Sequence, residues 1–261
     1  MKLSWHNSAF VRAPSRLIAK SGSWAMQDFP IQFGVLDHPT QGLILIDTGY
    51  GPSLFDSRDL NVALYRNLLR PKLIATGDAH HVILSMGATA MDVSHIFLSH
   101  LHADHMCGLE RFPNATIHAS SASLQGWKTG VDFSSSHKGF FPSLLPEFSS
   151  RKVQAVETAP VFKLPWRGEG FDVLGDGSVI SVGLPGHMKG HIGFLFPKLA
   201  VPVFYAADAE WTFSSLMQNS KLTLPARFII DDSIKYLEST SVVHKVLSLN
   251  YAVTLSHDVM I

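Results

Sequence analysis

The sequence predicts an α/β protein in which two β-sheets pack face to face and carry helices on their outer faces. Two observations lead there. Short apolar runs separated by turn residues recur in two batches, and each batch is followed by segments of helical periodicity. Several of these runs also end alike, in a histidine or an aspartate, so that strand ends collect ligand-type side chains.

Taken in order, "IQFGVLDH" and "GLILIDTGYG" read as two strands joined by a "PTQG" turn, a hairpin. Residues 57–70 carry Leu60, Leu64 and Leu68 at helical spacing. "VSHIFLSH" reads as a buried strand ending at Ser99, "MCGLERF" as the start of a short helix, and "ATIHA" as a further strand. Residues 119–168 mix Ser, Gly and Pro with Trp127, Phe133, Phe140, Phe141 and Phe148, an irregular or helical insertion in one domain of 1–261. Its aromatic residues either pack into the core or cap a substrate cleft. "GFDVLG", "SVISVGL", "HIGFLF" and "VPVFYAAD" follow as an antiparallel meander. Residues 232–249 show a helical stripe of Ile234, Leu237, Val242, Val246 and Leu249, and "YAVTLSHD" closes the chain as a strand.

Composition narrows the function classes. Lys+Arg and Asp+Glu both number 21, and a zero net charge argues against a nucleic-acid or anionic-membrane surface. No run approaches the ~18 apolar residues of a membrane span, and the first 20 residues hold no apolar stretch like that of a secretory signal. The single cysteine, Cys107, excludes an internal disulfide and fits a reducing cytoplasm. Cys107 is read as a small buried residue, although its place beside a histidine cluster makes a thiolate ligand the alternative.

That cluster is "HLHADH", in which His100, His102, Asp104 and His105 occupy six positions. Random placement of 14 histidines would produce this template in only about two of a thousand such chains, and loops favour Gly, Pro, Asn, Asp and Ser over alternating His. Other strand ends repeat the pattern: His187 and His191 in "LPGHMKGH", Asp208 in "VFYAADAEW", and His257 in "TLSHD". Singly, each has an ordinary explanation, such as a helix N-cap for Asp208 or a hydrogen-bonded histidine. Together they describe a metal site. Asp47 in "LIDTG" is read as a carboxylate that orients a ligand histidine or caps the backbone. His6, His38, His80, His81, His95, His118, His137 and His244 lack such a setting and are read as structural or surface residues.

With "HLHADH", "LPGHMKGH", "AAD", "SHD" and the leading "GLILIDTG" in this order, the chain resembles the metallo-β-lactamase-fold hydrolases over residues ~33–258. The tract from "DVLGDG" to "HIGFLF" is most similar to the branch containing the acyl-homoserine lactone lactonases. The resemblance implies an αββα sandwich of two mixed sheets with two metals at the sheets' edges. It implies that His100, His102 and His187 hold one metal, that Asp104, His105 and His257 hold the other, and that Asp208 bridges them. His191 falls outside that set, where relatives often place a residue that supports the ligands or faces substrate. Trp211 stands where lactonases of this type place a tyrosine, and an indole N–H donates a hydrogen bond but supplies no phenol proton.

Imidazole and carboxylate ligands suit two Zn²⁺, with Fe or Mn as alternatives. Two metals about 3.5–4 Å apart share a water, lower its pKa and deliver hydroxide to a carbonyl or phosphoryl centre. Asp104 is placed to orient that hydroxide or to pass a proton to the leaving group. The expectation is a cytoplasmic dinuclear zinc hydrolase opening a lactone or similar small ester, with a small molecule as its partner and a homodimer left open. Trp127, Phe133, Phe140, Phe141 and Trp211 are the expected apolar contacts for a substrate tail. A glyoxalase-II-like thioesterase and a mononuclear iron persulfide dioxygenase are the alternatives. The first needs a basic surface, and the second leaves His257 and the second ligand set unexplained.

Overall fold

The alternation of the strands dictates the layers. In a computed structural model, which describes residues 1–130, 138–166 and 168–258, two mixed sheets are built from thirteen strands. The first seven are β1 (Lys2–Pro14), β2 (Met26–His38), β3 (Gly42–Ile46), β4 (Lys72–Leu73), β5 (Val93–Phe97), β6 (Thr116–Ala119) and β7 (Lys152–Ala155), in the order β4-β1-β2-β3-β5-β6-β7. The second sheet holds β8 (Val161–Lys163), β9 (Glu169–Asp172), β10 (Ile180–Gly183), β11 (Ile192–Phe196), β12 (Val203–Ala207) and β13 (Ala252–Leu255), in the order β13-β12-β11-β10-β9-β8.

Neighbouring residues on one strand point to opposite faces. Leu36, Ile44, Ile46 and Phe97 of the first sheet therefore meet Ile192, Phe194, Phe196 and Tyr205 of the second in one cluster between the sheets. Phe33, Val35, Leu45 and Ile96 face the other way, into an outer core. Leu195, Phe204 and Ala206 do the same on the outer face of the second sheet. Each fully buried side chain of this kind contributes roughly 1.5–3 kcal/mol relative to exposure.

Helices cover both outer faces. The first carries α1 (Ser53–Asp56), α2 (Leu60–Leu69), α3 (Ala79–Ser85), α4 (Ala103–Met106) and α5 (Ser121–Thr129); α6 (Phe213–Met217), α7 (Leu224–Ile229) and α8 (Ser233–Ser248) follow β12. Caps start several of them: Asp59 accepts from Asn61 N, Ser120 from Ser123 N, and Asp232 from Ile234 N and Lys235 N.

The hairpin, the meander and the helix over 232–249 all form as expected, but two helix faces do not. Leu60, Leu64 and Leu68 are 84%, 69% and 78% exposed, while Val62 and Tyr65 turn inward on α2. On α8 the inward face is Tyr236, Ser239, Thr240, Val243 and Val246, leaving Ile234 and Leu237 exposed. Ser239 and Thr240 tolerate burial because they donate to Pro185 O and Ala209 O. The closing strand pairs parallel to β12. Within 119–168, α5 follows the end of β6, and β7 and β8 are the edge strands of the two sheets. Among the described residues no helix is long and apolar enough to cross a membrane.

His118, on β6, shows how this packing couples to pH. It is 2% exposed, its Nε2 lies 2.9 Å from His95 Nδ1, and burial followed by repulsion from His95 lowers its pKa to about 3. The folded state thus favours the neutral ring relative to an unfolded pKa of about 6.5. That stabilisation is complete above pH 6.5 and is lost as pH falls through 6.5 toward 3, about 2 kcal/mol by pH 5. His118→Gln should therefore flatten the fall in unfolding free energy between pH 7 and pH 5 by about one proton's worth of slope. Denaturant titrations at a series of pH values would show it, and an unchanged slope would remove His118 from the acid response.

Candidate metal centre

Six chain segments deliver titratable side chains to one end of the sandwich. β5 ends at Phe97, and Ser99, His100 and His102 follow in the connecting chain before α4 supplies Asp104 and His105. β3 ends before Asp47, and β12 ends before Asp208. The turn after β10 supplies His187, and the segment after β13 supplies His257. That turn depends on Gly186, whose φ is +122° and at which a Cβ would stand 2.1 Å from Tyr236 N. Asp231 and Asp232, at the start of α8, donate backbone N–H groups to Gly186 O and so fix the turn.

The expected ligands come together in two groups. One ligand atom from each of His100, His102, His187 and Asp208 lies within 4.8 Å of the others, and the same holds for Asp104, His105 and His257. Asp208 lies between the groups: its Oδ2 is 3.1 Å from His187 Nε2 and 3.4 Å from His257 Nε2, and its Oδ1 is 3.6 Å from His105 Nε2. His257 Nε2 is also 3.4 Å from Asp104 Oδ2, and its Nδ1 lies 3.1 Å from Pro30 O. Asp208 is not a helix cap, because α6 begins after Thr212.

Hydrogen bonds behind the cluster settle which nitrogens point inward. Asp47 is fully buried and accepts from Ser99 N, Ser99 Oγ and Tyr205 Oη, each at 2.7 Å, and from His105 Nδ1 at 2.8 Å. With its proton committed to Asp47, Ser99 Oγ accepts from His100 Nδ1 at 3.0 Å. In their neutral forms both rings then carry the proton on Nδ1 and present Nε2 as a lone pair. His102 Nδ1 sits 3.0 Å from His100 Nε2 and 3.0 Å from His187 Nε2, and carries at most one proton for two contacts. His105 Nε2 and Asp208 Oδ1 are buried with no hydrogen-bond partner. Converging lone pairs and orphaned buried atoms are costly unless a cation sits among them, so the donor set fits metal ions.

The electrostatics divide the two groups, because without a cation, nearby carboxylates favour the charged form of His105 and His257, whose protons a bound metal would displace. Burial, then the neighbouring imidazoles, hold His100 and His102 well below the usual histidine range, in the neutral form that ligates. Burial disfavours charge on His105 and His257, but the carboxylates of Asp104 and Asp208 outweigh it and raise both, with Asp47 adding to His105. The same histidines hold Asp208 well below the carboxylate range despite its burial.

Other expected residues fall differently. His191 commits both ring nitrogens to the protein: Nδ1 donates to Leu184 O at 2.7 Å, and Nε2 accepts from Asp208 N at 3.2 Å. It holds the backbone of Asp208 rather than facing a substrate. Phe140 and Phe141 are each 1% exposed and belong to the outer core, as does Trp127, whose Nε1 donates to Pro146 O. These aromatic residues pack the core instead of lining an open cleft; Phe133 and His137 lie outside the described residues. Trp211 stands edge-on to His187 at 5.8 Å and packs with Ala226, Ile230 and Tyr236. Cys107 is buried and, among the described residues, belongs to neither group of converging ligand atoms. A third group, Asp78 with His80 and His81, is explained by capping, since Asp78 accepts from both backbone N–H groups at the start of α3. Ser99 and Tyr205 were not anticipated; Ser99 lies inside "LSH", but nothing local marks Tyr205.

Residues 28–241 match the family described as the Metallo-beta-lactamase superfamily. Over 161 residues the chain is 35% identical to a probable metallo-hydrolase of Mycobacterium tuberculosis, covering 58% of this chain and 47% of the relative. The chain thus spans about half the length of that relative. It is 26% identical over 199 residues to the N-acyl homoserine lactonase AttM of Azorhizobium caulinodans, covering 73% of this chain and 69% of the relative. Among solved structures, B. thuringiensis AiiA with N-decanoyl-L-homoserine bound at its active site is similar, with a TM-score of 0.72 at 17% identity over 99% of this chain and 93% of that one.

The geometry separates histidines that should hold metal from one that should not. His105→Ala and His187→Ala should each lower bound metal by about one equivalent or more per chain, whereas His95→Ala, on the far side of β5's end, should keep the wild-type content. Elemental analysis of folded, gel-filtered protein tests this; full occupancy in both ligand variants would overturn the assignment.

Proposed function

The chain belongs to the metallo-beta-lactamase superfamily, and on that premise we propose that it is a dinuclear zinc hydrolase that opens a lactone or a similar small ester. The observation that carries the reading is the pair of ligand groups sharing Asp208, with bare, buried nitrogens aimed between them. In this reading His100, His102 and His187 hold one ion, Asp104, His105 and His257 hold the other, and Asp208 serves both. Bound there, a metal pair supplies Lewis acidity and a water of lowered pKa.

The chain's own residues do the rest. Asp47 and Ser99 fix the tautomers and orientation of His105 and His100, so that the ligand atoms do not reorganise during turnover. His191 fixes the peptide of Asp208 from behind. Asp104 and His257 have side chains 13% exposed, whereas those of His100 and His187 are 0% and 1% exposed, so substrate approaches from the Asp104 side. Asp104 is accordingly the carboxylate placed to orient the attacking water or to carry a proton to the leaving oxygen. The lactone substrate class is supported by the AttM relative, named as an N-acyl homoserine lactonase. A complete second ligand group weighs against a single-iron dioxygenase. The location we propose is the cytoplasm, consistent with a lone, buried, unpaired cysteine.

Protein purified without chelator should carry about two equivalents of zinc per chain; one equivalent of iron would overturn the hydrolase reading. The same preparation should turn over N-acyl homoserine lactones with a kcat/KM at least tenfold above that for S-lactoylglutathione and for a phosphodiester. A preference for the thioester would favour the glyoxalase-like reading instead. Because the aromatic residues of 138–148 lie in the core, selectivity for long acyl tails is not attributed to them.

A further inference from the structure

Two tyrosine hydroxyls face each other beside the ligand cluster, and their protons outnumber their contacts. Tyr50 Oη and Tyr65 Oη lie 2.6 Å apart, and among the described residues neither hydroxyl makes a second hydrogen bond. Two hydroxyls bring two protons, and one contact uses one of them. Tyr50 is 1% exposed and enclosed by the outer core, so its proton has no other acceptor. A buried O–H left without an acceptor is costly, so Tyr50 donates and Tyr65 accepts. The proton of Tyr65 is then directed away from Tyr50.

Tyr65, on α2, is only partly buried. Its ring meets Phe141 edge-on at 5.0 Å, which fixes the ring plane. Its place relative to the centre is marked by Gly139, whose φ of +94° suits glycine. A Cβ at residue 139 would lie 3.5 Å from His102 Cδ2 and 3.9 Å from Tyr65 Cε2, so the ligand imidazole and the phenol ring flank the same gap. Gly139 O also accepts from Ala103 N, which ties this segment to the metal-binding turn. Burial, followed by the charge of Asp104, raises the phenol pKa of Tyr65 well above its usual value, so the hydroxyl stays a donor at any working pH.

We propose that Tyr65 donates a hydrogen bond to an oxygen of the substrate held at the metal centre, and that Tyr50 orients it by donating to it from behind. This rests on the lactone-hydrolase reading and adds to it a substrate-contacting residue from α2, outside the ligand-bearing segments. Tyr65→Phe keeps the ring packing and removes only the oxygen. Relative to wild type it should lower kcat/KM for N-hexanoyl-homoserine lactone at least fivefold, with zinc content unchanged. It should also weaken calorimetric binding of the ring-opened N-hexanoyl-L-homoserine at least fivefold. Tyr50→Phe, which leaves the Tyr65 proton in place but loosens its direction, should give a smaller loss in both measurements. A Tyr65→Phe protein less than fivefold impaired in both measurements overturns the proposal. If wild type binds the ring-opened acid but turns over no lactone, the hydrolase reading fails while the binding comparison still decides the role of Tyr65. If wild type binds neither compound, both fall.

Discussion

The buried carboxylate of Asp47 is the constraint on which the rest of the centre depends. Its two oxygens accept four hydrogen bonds from three segments: the end of β5, the start of α4, and β12 of the opposite sheet. A carboxylate in that position is tolerable only because every direction is answered by a donor. The consequence is directional. Ser99 and His105 spend their protons on Asp47, so the lone pairs of His100 and His105 have only one way to face. Tyr205, reaching across from the second sheet, also meets Ser256 at 3.0 Å, next to His257. One charge thereby sets the orientation of ligands in both groups and joins the two sheets at their shared edge.

That arrangement leaves an imbalance for a metal to resolve. Three imidazole nitrogens at 3.0 Å spacing and a carboxylate with an unpartnered oxygen form a poor interior for a protein and a good one for a cation. Binding energy gained there is folding energy, since no such site exists in the unfolded chain. The backbone carries part of the cost as well. Asp47 and Ala207, at the ends of β3 and β12, have φ values of +56° and +47°, a region unfavourable for residues with a Cβ. Those turns aim Asp47 and Asp208 at the cluster instead of continuing their strands.

How much of this was legible in the sequence follows from what each signal reports. Strand ends with ligand-type residues were legible because a buried run followed by His or Asp has few structural reasons to recur. The seven candidate positions come together in two clusters in the structure. Helix faces were less legible. Leu60, Leu64 and Leu68 reveal a helix by their spacing, but spacing does not say which side the sheet lies on, and Val62 and Tyr65 took that side. Ser239 and Thr240 look like surface residues until Pro185 O and Ala209 O are known to be within reach. β7 and β8 escaped notice because edge strands of three or four residues, "KVQA" and "VFK", carry no apolar run. The aromatic residues between them read equally well as cap or core, and only their burial decides.

The two groups of candidate ligands are not equivalent, and the asymmetry separates rigidity from access. His100, His102 and His187 are buried against one another's rings, and the turn at Gly186 places His187. Asp104 and His257 are the candidate ligands most open to solvent. Asp104 sits on the four-residue helix α4, whose neighbours Ala103, His105 and Met106 are buried, while its own side chain is partly open to solvent. The sealed group fixes geometry, which keeps reorganisation small when charge develops. The open group is the side that solvent reaches, and it is the side on which Asp104 acts on Tyr65 electrostatically. Precision and access are thus divided between two halves of one cluster, with Asp208 as the shared wall and His191 holding that wall in place from behind.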